Sequence, residues 1–159
     1  MDSKDAPQII EHLSLSVNFT PYDTKWIPCS AKFVAMGINS RGKGVLNTYE
    51  IDRTELKVVN EAEIESGVKC GTFGASLFEQ RQLATGNYNG QLQIWDLNRL
   101  DTPVYEVKAH ESMINCIDGV GGLNIGEGAP EIVTGGHDGK VRIWDPRQSE
   151  QVVRMAEHL

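Results

Sequence analysis

Two stretches of the chain repeat one pattern of apolar residues, glycines and polar turns. One reads IVTGGHDGKVRIWD and covers Ile132–Asp145, and the other reads LATGNYNGQLQIWD and covers Leu83–Asp96. A weaker copy, VAMGINSRGKGVLNTYE, covers Val34–Glu50. Each copy has an apolar run, a turn of small or polar residues and an alternating strand that ends in an aromatic residue and an acid. Because Trp95 and Trp144 lie 49 positions apart, the chain is built from units of similar length.

Four short strands fit within each unit, and a four-stranded antiparallel sheet has to bury its faces against neighbours. A period in the forties with this number of strands predicts an all-β fold of the β-propeller type. We expect three four-stranded antiparallel blades and one N-terminal strand of an incomplete closing blade. The expected organisation is a flexible tail at 1–7 and a partial propeller at 8–159, with the closing strand at 8–13, blades at 22–60, 67–108 and 110–155, and the start of a fourth blade at 156–159.

Two kinds of segment depart from the simple pattern. Val58–Ser66 contains several helix formers and also fits a short helix, but the repeat favours a strand that runs into a loop. Gly119–Glu131 is a glycine-rich insertion between the first two strands of the third blade. The strand order places this insertion, and its counterpart Gly74–Arg81 in the second blade, on the face opposite the Asp138-Gly139 turn.

The composition argues against several classes of function. A net charge of −7 and a pI near 5.1 are unfavourable for binding nucleic acid, which requires clustered basic residues. No apolar run reaches the roughly 18 residues that cross a membrane. The three cysteines form neither an even disulfide set nor a CxxC motif, so we expect no metal. Cys70 and Cys116 occupy the same repeat position, and we expect both to be buried between blades.

Four polar groups of the third blade are suited to one buried network. In the strand order, His110 precedes the first strand, Thr134 lies on the second, Asp138 in the next turn and Trp144 on the third. A threonine hydroxyl accepts a proton from a buried indole N–H and donates one to a histidine nitrogen. The other histidine nitrogen then donates to the aspartate. We predict that these residues form a structural tetrad that ties three strands and a loop together.

The other two blades match this tetrad only in part. The second blade has Thr85, Asn89 and Trp95 at the corresponding positions, and we predict a partial tetrad without the histidine. The first blade has Tyr49 and Lys43 instead, so we expect no such network there.

Two alternatives would make the chain an enzyme or a nucleotide-binding protein. A histidine, an aspartate and a hydroxyl also occur in hydrolase triads, but no G-x-S-x-G elbow is present. Gly37–Lys43 looks like the start of a phosphate-binding loop, but Gly44 stands where a serine or threonine is needed, and a strand pattern follows instead of a helix. We therefore predict no catalytic residue, no cofactor and no small-molecule substrate.

The Trp95-Asp96 and Trp144-Asp145 endings, with His110 and the Asp138-Gly139 turn, resemble the WD-repeat family of β-propellers. The less regular segments resemble a branch of that family that acts in axonemal dynein assembly. These segments are PCSAKFV at 28–34, KCGTFGA at 69–75, IGEGAPEIVTG at 125–135 and WDPRQ at 144–148.

The resemblance implies a cytoplasmic, non-enzymatic adapter protein. It implies that the partners are subunits of a prefoldin-like co-chaperone complex with RuvB-like ATPases, and that dynein heavy chains are the clients. A link to apoptosis is also implied. Such propellers usually close with seven blades, so we expect this chain to be the N-terminal part of a longer protein.

Partner contacts are expected on the loops, which carry the variable surface of a propeller. Tyr88 and His137 each precede the Asn or Asp of a turn, and we predict that both contact a partner. The alternative function is a reader of linear or modified peptides, such as a methylated histone tail or ubiquitin.

Overall fold

The computed structural model describes residues 9–123, 126–148 and 154–157, and all regular structure in these ranges is β-strand. Accordingly, none of these ranges contains a helix long and apolar enough to span a membrane. The strands are β1 Thr20–Trp26, β2 Lys32–Ile38, β3 Gly44–Asp52, β4 Glu55–Ile64, β5 Val68–Thr72, β6 Leu83–Asn87, β7 Gln91–Trp95, β8 Tyr105–Lys108, β9 Ile114–Val120, β10 Glu131–Gly136, β11 Lys140–Trp144 and β12 Arg154–Glu157.

The strands form three four-stranded antiparallel sheets, as the repeat predicts. The orders are β1-β2-β3-β4, β5-β6-β7-β8 and β9-β10-β11-β12. The register places the same positions opposite each other in every sheet, because Phe33 pairs with Tyr49, Leu83 with Trp95 and Ile132 with Trp144. The three sheets are therefore repeats of one blade, and the all-β propeller-type fold is confirmed.

Adjacent blades pack through their broad faces and their first strands. One core lies between the first two blades and contains Met36, Leu46 and Trp95. A second core lies between the second and third blades and contains Leu92, Ile114 and Trp144. At the inner strands, the backbone N–H of Gly71 donates to Asp23 Oδ2 at 3.0 Å. The blades thus share apolar cores, and a polar link joins β1 to β5.

No strand in the described part of the chain covers the far face of the third blade. Val133, Val141 and Ile143 are 39%, 44% and 36% exposed. The equivalent residues of the second blade, Ala84, Leu92 and Ile94, are buried because the third blade covers them. For the same reason Cys70 is buried and Cys116 is exposed. The expectation that both cysteines are buried is wrong for Cys116, since no described strand packs over it.

Some segment boundaries differ from the predicted ones. Residues 9–13 form no strand, because a strand needs a hydrogen-bonded neighbour and the described strands offer none to this segment. Residues 156–157, expected to start a fourth blade, lie in β12, the outer strand of the third sheet. The residues at 1–8 and 158–159 lie outside the described ranges. Val58–Ile64 is strand, because every residue in it except Val59 pairs with β3.

Candidate functional site

The structure brings His110, Thr134, Asp138 and Trp144 into one hydrogen-bonded chain. The indole N–H of Trp144 donates to Thr134 Oγ1 at 2.9 Å. Thr134 Oγ1 lies 2.8 Å from His110 Nε2, and His110 Nδ1 lies 2.9 Å from Asp138 Oδ1. Thr134 and His110 have no exposed surface. The chain links β10, β11, the loop before β9 and the turn after β10.

The carboxylate of Asp138 anchors one end of this chain. It also accepts the backbone N–H groups of Glu111 at 3.2 Å and Lys140 at 3.2 Å. Burial alone would raise the pKa of Asp138, but the hydrogen bond from His110 and those from the two backbone groups outweigh it and hold the pKa below its ordinary value. The ionised carboxylate therefore favours a proton on His110 Nδ1, which leaves Nε2 to accept from the Thr134 hydroxyl.

The lowered pKa of Asp138 predicts a pH-dependent contribution to stability. A depressed folded-state pKa gives stability that is present above the unfolded value of about 3.9 and is lost as pH falls through the folded value. Asp138→Asn removes this pH-dependent contribution. We therefore expect the difference in urea midpoint between wild type and this variant to shrink below about pH 4. Asp101→Asn, which removes the same charge from an exposed loop, is the control. A difference that is constant down to about pH 3 contradicts this assignment.

The second blade keeps the Trp–Thr half of the tetrad. The Trp95 indole N–H donates to Thr85 Oγ1 at 3.0 Å. Asn89 is exposed, and its backbone N–H donates to Asn87 Oδ1 at 3.0 Å. The buried polar group next to the turn is Asn87, which is 1% exposed and whose amide nitrogen donates to Gln91 Oε1 at 2.9 Å. The structure therefore joins Thr85 and Trp95 but does not bring Asn89 into the network.

A glycine in the third blade explains why the two networks differ. By register, Gly136 corresponds to Asn87. A Cβ atom on Gly136 would lie 2.2 Å from His110 Nδ1 and 2.4 Å from Asp138 Oδ1. The His110–Asp138 pair thus occupies, in the third blade, the space that the Asn87 side chain takes in the second. The repeat has Gly at position 136 and Asn at the equivalent position 87. This difference is the sequence signal from which the buried role of Asn87 could have been predicted.

The first blade uses a different buried arrangement. Ala35 stands at the register position of the two threonines, so no hydroxyl is available there. Tyr49 replaces the tryptophan, stacks on Phe33 with ring centroids 5.3 Å apart and accepts an N–H from Asn47 Nδ2 at 3.2 Å. Lys43 lies in the turn before β3, where its backbone N–H donates to Asn39 Oδ1.

The geometry is unfavourable for the catalytic and nucleotide-binding alternatives. His110 is fully buried and has structural partners at both ring nitrogens. Burial raises the pKa of the Cys70 thiol to about 12, which disfavours the nucleophilic thiolate. In the Gly37–Lys43 turn, Asn39 Oδ1 accepts the N–H groups of Arg41 and Lys43, which a phosphate-binding loop would present to its ligand. No group of three or more potential metal ligands occurs in the ranges the structure describes.

Tyr88 and His137 lie on the face that carries the turns before β7 and β11, here called the turn face. Tyr88 is half-buried, with its ring centroid 5.8 Å from that of Tyr22. The ammonium of Lys69 lies 4.5 Å from the Tyr22 ring centroid. His137 is exposed, and its backbone N–H donates to the Met113 carbonyl at 2.9 Å. Tyr22 and Lys69 were not predicted from the sequence. Tyr22 lies on β1 of the first blade and Lys69 on β5, so both are distant in sequence from the turn that carries Tyr88.

A family model described as "WD domain, G-beta repeat" matches residues 101–145. This range begins before β8 in the second sheet and ends after β11 in the third, so the sequence repeat straddles two blades. Together with the three repeated sheets and the Trp–Thr–His–Asp chain, this match defines the class of protein. The chain belongs to the WD-repeat family of β-propeller proteins.

Within that family, the chain is similar to proteins named dynein axonemal assembly factor 10. It is 58% identical to the Xenopus laevis protein over 94% of this chain and 54% identical to the Homo sapiens protein over 96% of it. The chain spans 42% and 43% of the length of these two relatives. Both names denote assembly factors, in agreement with the predicted absence of enzymatic activity.

A solved structure supports the fold independently. A chain in the structure titled "Crystal Structure of Mitotic Checkpoint Complex" superimposes with a TM-score of 0.66 at 17% identity. The match covers 94% of this chain and 42% of that chain. At this identity the likeness concerns the fold alone.

Proposed function

We propose that this chain is part of a protein-interaction scaffold that acts in the assembly of axonemal dynein. The observation that carries the proposal is the 58% identity over 94% of the chain to an assembly factor of that process. The matched region includes loops, where the propeller repeat itself demands little of the sequence. The tetrad supports a scaffold, because its polar groups serve to fix a loop and not to reach a substrate.

We further propose that the scaffold is a cytoplasmic co-chaperone adapter. Its partners are subunits of a prefoldin-like complex with RuvB-like ATPases, and its clients are dynein heavy chains. Two observations support these partners. The loop segments resemble those of the dynein-assembly branch of the family, and the chain is acidic with partly exposed aromatic residues. The names of the two relatives do not concern apoptosis.

The turn face is the proposed contact surface, because aromatic residues that are partly exposed and rigidly held are common at the centres of interfaces. Tyr88 packs against Tyr22, and the cation of Lys69 covers the Tyr22 ring. This arrangement limits the motion of both tyrosines before a partner arrives, which lowers the entropy lost on binding.

Alanine at both Tyr88 and His137 tests this surface. In ciliated cells that lack the full-length protein, we expect the wild-type protein to restore axonemal dynein arms. We expect the double variant to capture co-chaperone subunits about tenfold more weakly, with only a small drop in melting temperature from the lost contact with Tyr22. Arg99→Ala with Gln148→Ala, both exposed on the opposite face, is the matched control.

The outcomes separate the two parts of the proposal. Unchanged capture by the double variant contradicts the turn face as the contact surface. Normal dynein arms in cells without the protein contradict the role in dynein assembly.

The alternative, a reader of methylated peptides, needs an open aromatic cage for the methylated cation. Tyr22 and Tyr88 provide two rings, but the ammonium of Lys69 already lies 4.5 Å from the centre of one. This observation favours the scaffold. Binding of the full-length protein to a methyl-lysine peptide, strengthened by Lys69→Ala, would favour the reader instead.

A further inference from the structure

The outer strand of the first blade is unlike those of the other two. β4 has ten residues, whereas β8 has four and the described part of β12 has four. Among the described strands, β4 neighbours only β3, so its other edge has no strand partner in the part of the chain that the structure describes. An exposed edge of this length is a template for pairing with another chain, and proteins usually keep such strands short.

A β-bulge exposes two valines in the middle of this strand. Thr48 pairs with Asn60 and Tyr49 pairs with Val58, so Val59 is the extra residue. The bulge interrupts the alternation of side chains, and Val58 and Val59 are 50% and 46% exposed. Two adjacent exposed valines on an edge strand are an unfavourable surface in water, and a partner that covers them gains free energy.

A groove of about 580 Å³ lies beside the bulge, between β4 and the second blade. Val59 and Asn60 form one wall, and Phe78, which is 46% exposed, belongs to the other. Asn60 joins the two walls, because its side-chain amide on β4 donates to the Leu97 carbonyl of the second blade at 3.2 Å. The groove is wide enough for an apolar side chain, and it connects directly with the strand edge.

Thr48 supplies an independent sign of a ligand. Its side chain lines the groove, the residue is 4% exposed, and Oγ1 has no hydrogen-bond partner in the part of the chain that the structure describes. A buried hydroxyl without a partner costs about 1–3 kcal/mol. A polar side chain of a ligand that enters the groove would satisfy it.

The charge along β4 defines the chemistry of the partner. Glu55, Glu61 and Glu63 are exposed on this strand. Lys57, its one cation, contacts Asp52 and Glu55, and Arg41 from the turn before β3 pairs with Glu63. With Asp52, these acidic groups still outnumber the two cations. Opposite charges across paired strands are favourable and like charges are not. The edge therefore favours a basic strand over an acidic one.

We propose that the outer edge of β4 binds an extended segment of a partner protein, with alternating basic and apolar residues, as an added strand. One apolar residue of the segment packs between Val59 and Phe78. The segment's amides and carbonyls pair with the free edge of β4, which is the β-augmentation mode of peptide recognition. This inference rests on the proposed scaffold function and assigns it a second contact surface.

The test uses the full-length protein and a synthetic ten-residue peptide of alternating lysine and valine. We expect the peptide to slow amide hydrogen exchange within 55–64 by about tenfold or more. We expect Val59→Lys to weaken binding about tenfold, and a glutamate–valine peptide to bind still more weakly. Val104→Lys is the matched control, because Val104 is 60% exposed away from β4.

A second peptide tests the backbone contacts without changing the protein. Methylation of alternate peptide nitrogens keeps the charge and the valines but removes the donors of one edge. We expect this peptide to lose binding. Equal binding of the methylated peptide, or no slowing of exchange within 55–64, overturns strand addition. If the peptide does not bind while cells without the protein still lose dynein arms, strand addition fails and the scaffold function stands.

Discussion

Thr134→Val is expected to lower the free energy of unfolding by about 3 kcal/mol. The hydroxyl of Thr134 is the shared partner of the Trp144 indole at 2.9 Å and of His110 Nε2 at 2.8 Å. Valine has nearly the same shape, so the packing remains while both groups lose their partner. Each buried polar group left unsatisfied costs about 1–3 kcal/mol. The change in urea midpoint of the full-length protein measures the loss.

The same substitution in the second blade is the control. Thr85 has no exposed surface, as is true of Thr134, and it accepts the Trp95 indole at 3.0 Å without a histidine partner. Thr85→Val therefore leaves one fewer polar group unsatisfied, and we expect about half the loss of stability. Equal losses for the two variants would show that the histidine adds nothing to the tetrad.

Gly90→Ala is expected to destabilise the protein by about 3 kcal/mol or more. Gly90 has a φ of +74°, which disfavours any residue with a Cβ. That Cβ would also lie 2.2 Å from the His110 carbonyl oxygen and 2.3 Å from that of Ser112. The Gly90 carbonyl accepts the N–H groups of Ala109 and His110, both at 2.9 Å, so the turn and the loop cannot separate without losing these bonds.

Gly42→Ala separates the steric clash from the backbone strain. Gly42 has a φ of +79°, but a Cβ there would meet nothing within 4 Å. We expect this variant to lose only about 1 kcal/mol, the cost of the left-handed conformation. The two melting temperatures, measured under the same conditions, give the comparison. A loss for Gly42→Ala as large as that for Gly90→Ala contradicts the proposed contact between turn and loop.

The propeller repeat could be predicted because it depends on patterns that are local in the sequence. The strand alternation, the glycine turns and the Trp-Asp endings recur at similar spacing, and strand pairing follows from them. The members of the tetrad could be named for the same reason, since each has a fixed place in the repeat. Packing between blades could not be predicted in detail, as Asn87 and Asn89 show. Both are asparagines next to one turn, but only Asn87 lies where the third blade holds Gly136, and there it is buried.

The sequence by itself determined the blade, its strand order and the residues able to join its strands, because these depend on periodicity over short distances. The tertiary structure alone decided which equivalent positions are covered. Cys70 is buried and Cys116 is exposed, although they share a repeat position, because a neighbouring blade packs over Cys70 and no described strand packs over Cys116. It also decided that Tyr22 meets Tyr88 and that β4 has a free edge beside a groove. Such contacts depend on the placement of distant segments, which no local pattern specifies.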